Sequence, residues 1–342
     1  MAPDLLTGSP LFHKKDFQSD QAVRWCPGCG DYSILGVLQQ TLSKFTLPRE
    51  KYVFISGIGC SSRLPYYMAT YGLHTIHGRA PSVASGLRVV RDDLSIWVIT
   101  GDGDGLSIGG NHILHTLRRN FDLHIILVNN QTYGLTKGQY SPTSPIGQLT
   151  RSSPDGSIDH PVNPLCVAVA SEATFIARTY DQDPAHMGMV FARAARHKGT
   201  SFIEVLQNCI VFNDKAHEPI VGRENREERM VFLEHGKPLV WGAEGRKKAL
   251  RLKSFHPEVV PYDPAREKEY LVHDEADPLP HSTYLLTQLG PPDFPMPFGV
   301  FRAVEKPTYD ELLNGQVADA RHRMGQGDLK TLIQGTETWT VR

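Results

Sequence analysis

The stretch that most constrains this chain runs from residue 94 to residue 139. It reads LSIWVIT, then GDGDGLSIGGNH, then a helix-length segment, then LHIILVNNQTYGLTKGQ. Two apolar, β-rich runs (residues 94–100 and 123–128) end in polar turn residues, with room for a helix between them. That pattern predicts one βαβ unit. In a parallel sheet the ligand crevice lies outside the carboxyl ends of the strands, so Gly101, Asp102, Gly103 and Asp104 are expected beside Asn129 and Asn130. Gly101, Gly103 and Gly105 let backbone N–H groups approach a phosphate, and the helix that follows aims its positive end there. Asp102 and the Asn130 amide oxygen are hard donors of the kind Mg²⁺ takes when it bridges a diphosphate. The simpler alternative is a Gly-rich turn with an Asp cap. A dinucleotide fingerprint needs G-x-G-x-x-G and an acidic residue after the next strand, and a Walker A loop needs G-K-[ST]; this stretch has neither.

GDG followed by NN at the next strand end resembles the signature of thiamine-diphosphate enzymes. The resemblance implies Mg²⁺ held by Asp102, Asn130 and the main-chain carbonyl of Thr132. The bulk properties are compatible with such an enzyme. The chain has 342 residues, and its 36 basic and 37 acidic side chains give no charge bias that argues for nucleic acid or an acidic partner. No apolar run approaches the roughly 20 residues that span a bilayer, so no membrane association is expected. The start lacks an apolar signal core, which makes a cytoplasmic location the default. Five cysteines, an odd number in a large chain, do not form a secreted disulfide framework and point to metal or redox use.

Residues 1–24 are polar and read as an extended N-terminal arm. Cys26-Pro27-Gly28-Cys29 follows, then a helix from Asp31, then a strand over residues 52–56 that ends in Gly57-Ile58-Gly59-Cys60-Ser61. Three chemistries compete for the close cysteine pair: a dithiol redox motif, structural zinc, and an iron–sulfur cluster. The first normally follows a strand, and the second wants another close pair. A cluster needs four thiolates, with Cys60 as a plausible third. Cys209, which follows a strand over residues 201–206, shares the strand-end position of Cys60 and is preferred as the fourth. Cys166 falls on the apolar face of a predicted helix, the usual place for a buried structural thiol. Arg63, His77 and Arg79 suit diphosphate contacts or, as the simpler alternative, solvated loop positions. Gly86, in a predicted helix over residues 84–92, is expected to permit close packing.

WCPGCG, GIGCSSR, HGRAPSVASGLR, GDGD, NNQTYGLTKGQYSPTS and a late cysteine, in this order, resemble the β subunits of 2-oxoacid:ferredoxin oxidoreductases over roughly residues 20–215. The resemblance implies a [4Fe–4S] cluster on Cys26, Cys29, Cys60 and Cys209. It implies thiamine-diphosphate contacts from Ile58, Cys60, Ser61, His77, Gly78, Arg79, Gly101, Asp102, Gly103, Asp104, Asn130, Thr132 and Gly134. Lys137 is implied to hold the substrate carboxylate, with His77 and Arg79 as further catalytic candidates. The implied reaction is coenzyme-A-dependent oxidative decarboxylation of a 2-oxoacid, with electrons passing to ferredoxin, or its reverse. It requires an α subunit, in an (αβ)₂ assembly, to supply the glutamate near the pyrimidine ring. The separate β chain and the YGLTKGQYSPTS loop favour 2-oxoglutarate, with pyruvate second. Two other classes remain: a non-redox thiamine-diphosphate decarboxylase or carboligase, and a non-catalytic electron-transfer subunit.

The expected fold is α/β, a doubly wound, mostly parallel sheet of the thiamine-diphosphate-binding type over residues 25–215. Within it, helices are expected over residues 163–171 and 184–197 and a strand over residues 174–179. Residues 141–161, rich in Ser, Pro and Gly, form a long connection near the site. Residues 216–342 read as an irregular extension of short strands that wraps the partner subunit, with a helix near the end as a cover.

Overall fold

The computed structural model describes residues 12–341, so the first eleven residues of the expected arm lie outside the described part. Among the described residues there are eleven strands: β1 (Tyr52–Ser56), β2 (Tyr71–His74), β3 (Ser95–Gly101), β4 (His124–Asn129), β5 (Phe175–Tyr180), β6 (Ser201–Leu206), β7 (Met230–Leu233), β8 (Val240–Trp241), β9 (Lys248–Lys253), β10 (His256–Pro261) and β11 (Met296–Ala303). Eight of them form one sheet in the order β2-β1-β3-β4-β6-β5-β11-β7. The six strands from β2 to β5 are mutually parallel, and β11 pairs antiparallel with β5 and parallel with β7.

Every residue of β1, β4, β5 and β6 is buried, which is why these strands read as continuous apolar runs rather than alternating ones. Alternate side chains nonetheless go to opposite faces. Phe54, Trp97, Ile99, Ile126, Val128 and Val205 pack under α1 (Asp31–Leu42) and α6 (Pro184–Arg196), whereas Ile55, Ile96, Val98, Ile125 and Leu127 face the other layer. That layer contains α2 (Ala80–Val90), the short α3 (Asp102–Leu106), α4 (Gly110–Arg119) and α5 (Pro164–Ala170). The first layer is completed by α6, capped by Asp183. Helices on both faces of a parallel sheet make the fold doubly wound, as expected.

Two features differ from the sequence reading. The edge strand β2 is exposed along its whole length and carries no buried run for a pattern to reveal. The sheet also continues past residue 215: β7 and β11, from the segment expected to be irregular, join it beside β5. Proline-rich flanks hide the apolar run Met296–Ala303 in the sequence. Beyond them, β8, β9 and β10 form a small antiparallel sheet. The helix Tyr309–Met324, held by a Thr308–Glu311 capping box, docks by its first turn, where Asp310 accepts from Arg88 Nε at 3.1 Å. The side chains after Asp310 are mostly exposed, so this helix covers no part of the site. No helix among the described residues is long and apolar enough to cross a membrane.

One buried ion pair links the middle of the sheet to the strand ends. Arg178 Nε lies 2.7 Å from Glu204 Oε2, with both side chains at most 5% exposed, and Glu204 Oε1 accepts from Asn129 Nδ2 at 2.8 Å. Removing one member of such a pair strands the other charge in the interior. Arg178→Met is therefore expected to cost about 3–5 kcal/mol in urea denaturation. Lys51→Met, which breaks the surface Lys51–Asp93 pair, is expected to leave the urea midpoint close to that of the parent protein.

Candidate active site

Strands β1, β3, β4 and β6 are consecutive neighbours and parallel, so their carboxyl ends open on one edge of the sheet. That edge receives Cys60 after β1, Asp102 after β3, Asn130 after β4 and Cys209 after β6. A cavity of about 90 Å³ forms there, lined by Ile58, Cys60, Ser61, His77, Gly101, Asp102, Gly103, Asp104, Asn130, Thr132 and Gly134 together with Gly59, Tyr133, Leu135 and Thr136.

The two aspartates of GDGD do different work. Asp102, 2% exposed, accepts hydrogen bonds on Oδ2 from Ser141 Oγ and, at 2.6 Å, from Thr143 Oγ1. Burial pushes its carboxyl up to about 6, against the pull of those two hydroxyls. A buried carboxylate with a cost of this kind suits a site that receives a cation. Asp104 instead gathers three loops. Its Oδ1 accepts from the backbone N–H of Ile58 (3.1 Å) and Gly78 (2.7 Å) and lies 2.7 Å from His77 Nδ1, while Oδ2 accepts from Thr100 Oγ1 at 2.6 Å. Gly57 makes room for it: a β-carbon there would lie 1.8 Å from Asp104 Oδ2.

The asparagines also divide. Asn129 is buried and committed to Glu204, whereas Asn130 lines the cavity and its Oδ1 accepts from the Thr132 N–H at 3.2 Å. Gly101 and Gly103 line the cavity, and two of the three glycines are also required by packing. Gly103 lies under the Tyr133 ring, where a β-carbon would come within 2.2 Å, and Gly105 faces Ile113 and Leu127 rather than the cavity. The helix that follows, α3, is only five residues long.

Three expected residues stand outside the cavity lining. Gly78, with φ +70°, acts through Asp104 and packs against Gly109. Arg79 Nη1 donates to the Ile108 carbonyl at 3.1 Å. Lys137 is exposed, in a 133–139 turn closed by backbone bonds between Tyr133 and Gln139.

A second cavity, about 190 Å³, abuts the first and shares Cys60, Asn130, Gly134 and Leu135 with it. Cys26, Cys29, Cys60 and Cys209 all line this space, and all are free. Trp25 and Gly30 bring the CPGC loop here: Trp25 Nε1 donates to the Cys60 carbonyl at 2.7 Å, and the Gly30 N–H to the Asn208 carbonyl at 3.2 Å. Burial, then the charges of Asp31 and Cys209, push the Cys60 thiol up to about 11, and burial with the Asp31 charge raises that of Cys29 further. Thiolates here are costly without a neighbouring cation, a condition that iron ligation meets. Among the described residues no three His, Cys, Asp or Glu side chains close on a point as ligands of a single ion would. The cysteines ring a volume instead, which fits a multi-iron cluster. Cys166 is elsewhere, its sulfur 3.1 Å from Thr287 Oγ1.

Sequence reasoning gave no role to Trp25, Ser141, Thr143 or Gln207. Ser141 and Thr143 belong to the YSPTS end of the quoted motif, but their pairing with Asp102 depends on how that loop folds back.

A Gly-Asp-Gly turn facing an asparagine at the next parallel strand end defines a thiamine-diphosphate-binding domain, and residues 57–205 match the family model for the thiamine pyrophosphate enzyme, C-terminal TPP binding domain. The chain is 48% identical over 330 residues to the 2-oxoglutarate oxidoreductase subunit KorB of Mycobacterium tuberculosis, covering 96% of this chain and 88% of that one. It is 44% identical over 192 residues to the 2-oxoacid:ferredoxin oxidoreductase subunit beta of Saccharolobus solfataricus, covering 56% and 63% of the two chains. A solved 2-oxoglutarate:ferredoxin oxidoreductase from Magnetococcus marinus, with 2-oxoglutarate, coenzyme A and succinyl-CoA bound, superposes with a TM-score of 0.76 at 30% identity, over 98% of this chain and 99% of that one. The chain belongs to the β subunits of the 2-oxoacid:ferredoxin oxidoreductases, of the 2-oxoglutarate type. As a β subunit it works with an α partner.

Two glycine substitutions separate the brace from bare helix. Gly57→Ala forces Asp104 away and is expected to cost about 1–3 kcal/mol. Gly86→Ala is expected to be neutral or slightly stabilising, because an added methyl meets nothing within 4 Å. Among the described residues nothing packs closely on Gly86, contrary to the expectation. Thermal melts of the two variants against the parent protein check both outcomes.

Proposed function

We propose that this chain forms the cofactor-binding half of an enzyme that oxidatively decarboxylates 2-oxoglutarate. Coenzyme A takes the acyl group as succinyl-CoA, CO₂ leaves, and electrons pass through a [4Fe–4S] cluster to ferredoxin; the same site runs in reverse as a reductive carboxylase. The observation that carries this reading is the pair of abutting cavities, one holding Asp102 and Asn130, the other ringed by four cysteines, with Cys60 and Gly134 in their common wall.

When bound, thiamine diphosphate supplies the electron sink for decarboxylation, and the cluster supplies a one-electron relay. The residues of this chain hold and orient these groups. Asp102, Asn130 and the Thr132 carbonyl hold Mg²⁺ against the diphosphate. Ser141 and Thr143 fix the Asp102 carboxylate by donating to Oδ2. Ile58, Ser61, Gly101 and Gly103 line the diphosphate end. Asp104 keeps the Ile58 and Gly78 loops in place and holds His77 at the cavity edge. Gly134 leaves the common wall free of a side chain. Lys137, on the exposed turn beside that wall, supplies the charge for the substrate carboxylate. Cys26, Cys29, Cys60 and Cys209 ligate the cluster. The α partner completes the pyrimidine side, ferredoxin accepts the electrons, and the working unit is an (αβ)₂ assembly in the cytoplasm.

Purified anaerobically as the two-subunit complex, the protein is expected to reduce a viologen dye only when coenzyme A is present, with 2-oxoglutarate preferred over pyruvate and branched 2-oxoacids. A preference for pyruvate would reject the substrate assignment. Asp102→Ala is expected to abolish retention of thiamine diphosphate while iron content stays at the parent level. The double variant Ser141→Ala/Thr143→Val keeps the carboxylate but loses its supports, and its Mg²⁺ affinity is expected to fall by about 10–100-fold.

A further inference from the structure

Gln207 follows β6 directly and is 1% exposed. Its side-chain Nε2 lies 3.2 Å from Cys29 Sγ and 2.7 Å from the Asn208 carbonyl oxygen. The amide orientation is fixed chemically, because the reversed amide would set Oε1 against that carbonyl oxygen at the same short distance. The Asn208 carbonyl also accepts from the Gly30 N–H, so one oxygen ties the CPGC loop and the Gln207 amide together. Gly30 is required mainly by Asp181, whose Oδ2 would lie 1.8 Å from a β-carbon there, and secondarily by Gln207 Cγ at 2.9 Å. The remaining amide oxygen, Oε1, is buried without a hydrogen-bond partner among the described residues. An orphaned acceptor of this kind is costly. The side chain is thus held in a conformation that satisfies the cysteine at the expense of its own oxygen.

We infer that Gln207 is a positioning residue that raises the reduction potential of the cluster by donating an N–H to the Cys29 thiolate. The inference rests on the cluster assignment made above. When one electron enters the cluster, negative charge on the ligating sulfurs grows and no bond is made or broken. A donor on one of those sulfurs is then worth more in the reduced state than in the oxidised state, which moves the potential upward. Gln207 thereby makes the cluster an easier acceptor for electrons leaving the substrate.

The test is an EPR-monitored redox titration of the substrate-free two-subunit complex, with iron per complex measured on the same samples. Gln207→Met keeps the bulk and removes the donor; Gln207→Glu keeps the shape and replaces the donor with an acceptor. Both variants are expected to retain parental iron and to titrate at a more negative potential. A shift near 59 mV would correspond to a tenfold change in the one-electron equilibrium constant. Parental iron with an unchanged potential in both variants would overturn the role of Gln207 and leave the cluster standing. Loss of iron from both would assign Gln207 to holding the cluster, and so overturn a potential-setting role. Absence of iron from the parent complex would overturn the cluster assignment itself.

Discussion

The site depends on one geometric constraint, the parallel alignment of four adjacent strands. Because β1, β3, β4 and β6 run the same way and lie side by side, their carboxyl ends meet at one edge of the sheet. Residues as distant in sequence as Cys60 and Cys209 become neighbours there, each within 3.6 Å of the point where a Gly134 β-carbon would stand. An antiparallel strand among these four would send one of the ligating loops to the opposite end of the molecule. The two strands that run the other way, β11 and β7, lie beyond β5 and leave the edge intact.

Burial gives that edge its chemistry. Asp102, Asp31 and the thiols of Cys29 and Cys60 all sit where their charged forms are penalised. The Asp31 carboxyl, pushed up to about 7 by burial against the opposing hydrogen bond with Cys29, stands beside those thiols. Arg24 and Arg63 also line the cysteine cavity, and Arg63 pulls the Cys60 thiol down, but burial outweighs it. Acids and thiols massed in such a low-dielectric pocket favour positive guests, and Mg²⁺ and iron are the guests the family reading supplies. Asp104 is the exception. Its two backbone donors and the Thr100 hydroxyl engage both of its oxygens, so it serves the fold of the site.

Much of this was legible in the sequence. The strand of residues 52–56 carries its own boundaries, because a fully buried strand is an unbroken apolar run bounded by turn residues. The GDG and NN motifs and the four cysteines are polar groups at the ends of such runs, and parallel topology brings them together. The supports were hidden. Ser141, Thr143 and Gln207 are ordinary polar residues whose roles exist only through the folded path of a loop or the direction of one amide. Strand β2 has no buried face, and β11 lies among prolines, so neither leaves a periodic pattern. The purpose of the glycines was also concealed. Gly57 and Gly103 are required by an aspartate and a tyrosine ring that approach from other segments.

The central claim is that the cofactor cavity and an iron cluster share a wall. Diffraction from crystals of the two-subunit complex, recorded at the iron absorption edge, tests it most directly. One compact group of anomalous peaks from this chain is expected, enclosed by Cys26, Cys29, Cys60 and Cys209 and separated from Asp102 by the Gly134 wall. Iron elsewhere in this chain, at Cys166 for example, or no iron in the cysteine cavity of an anaerobically prepared crystal, would contradict it.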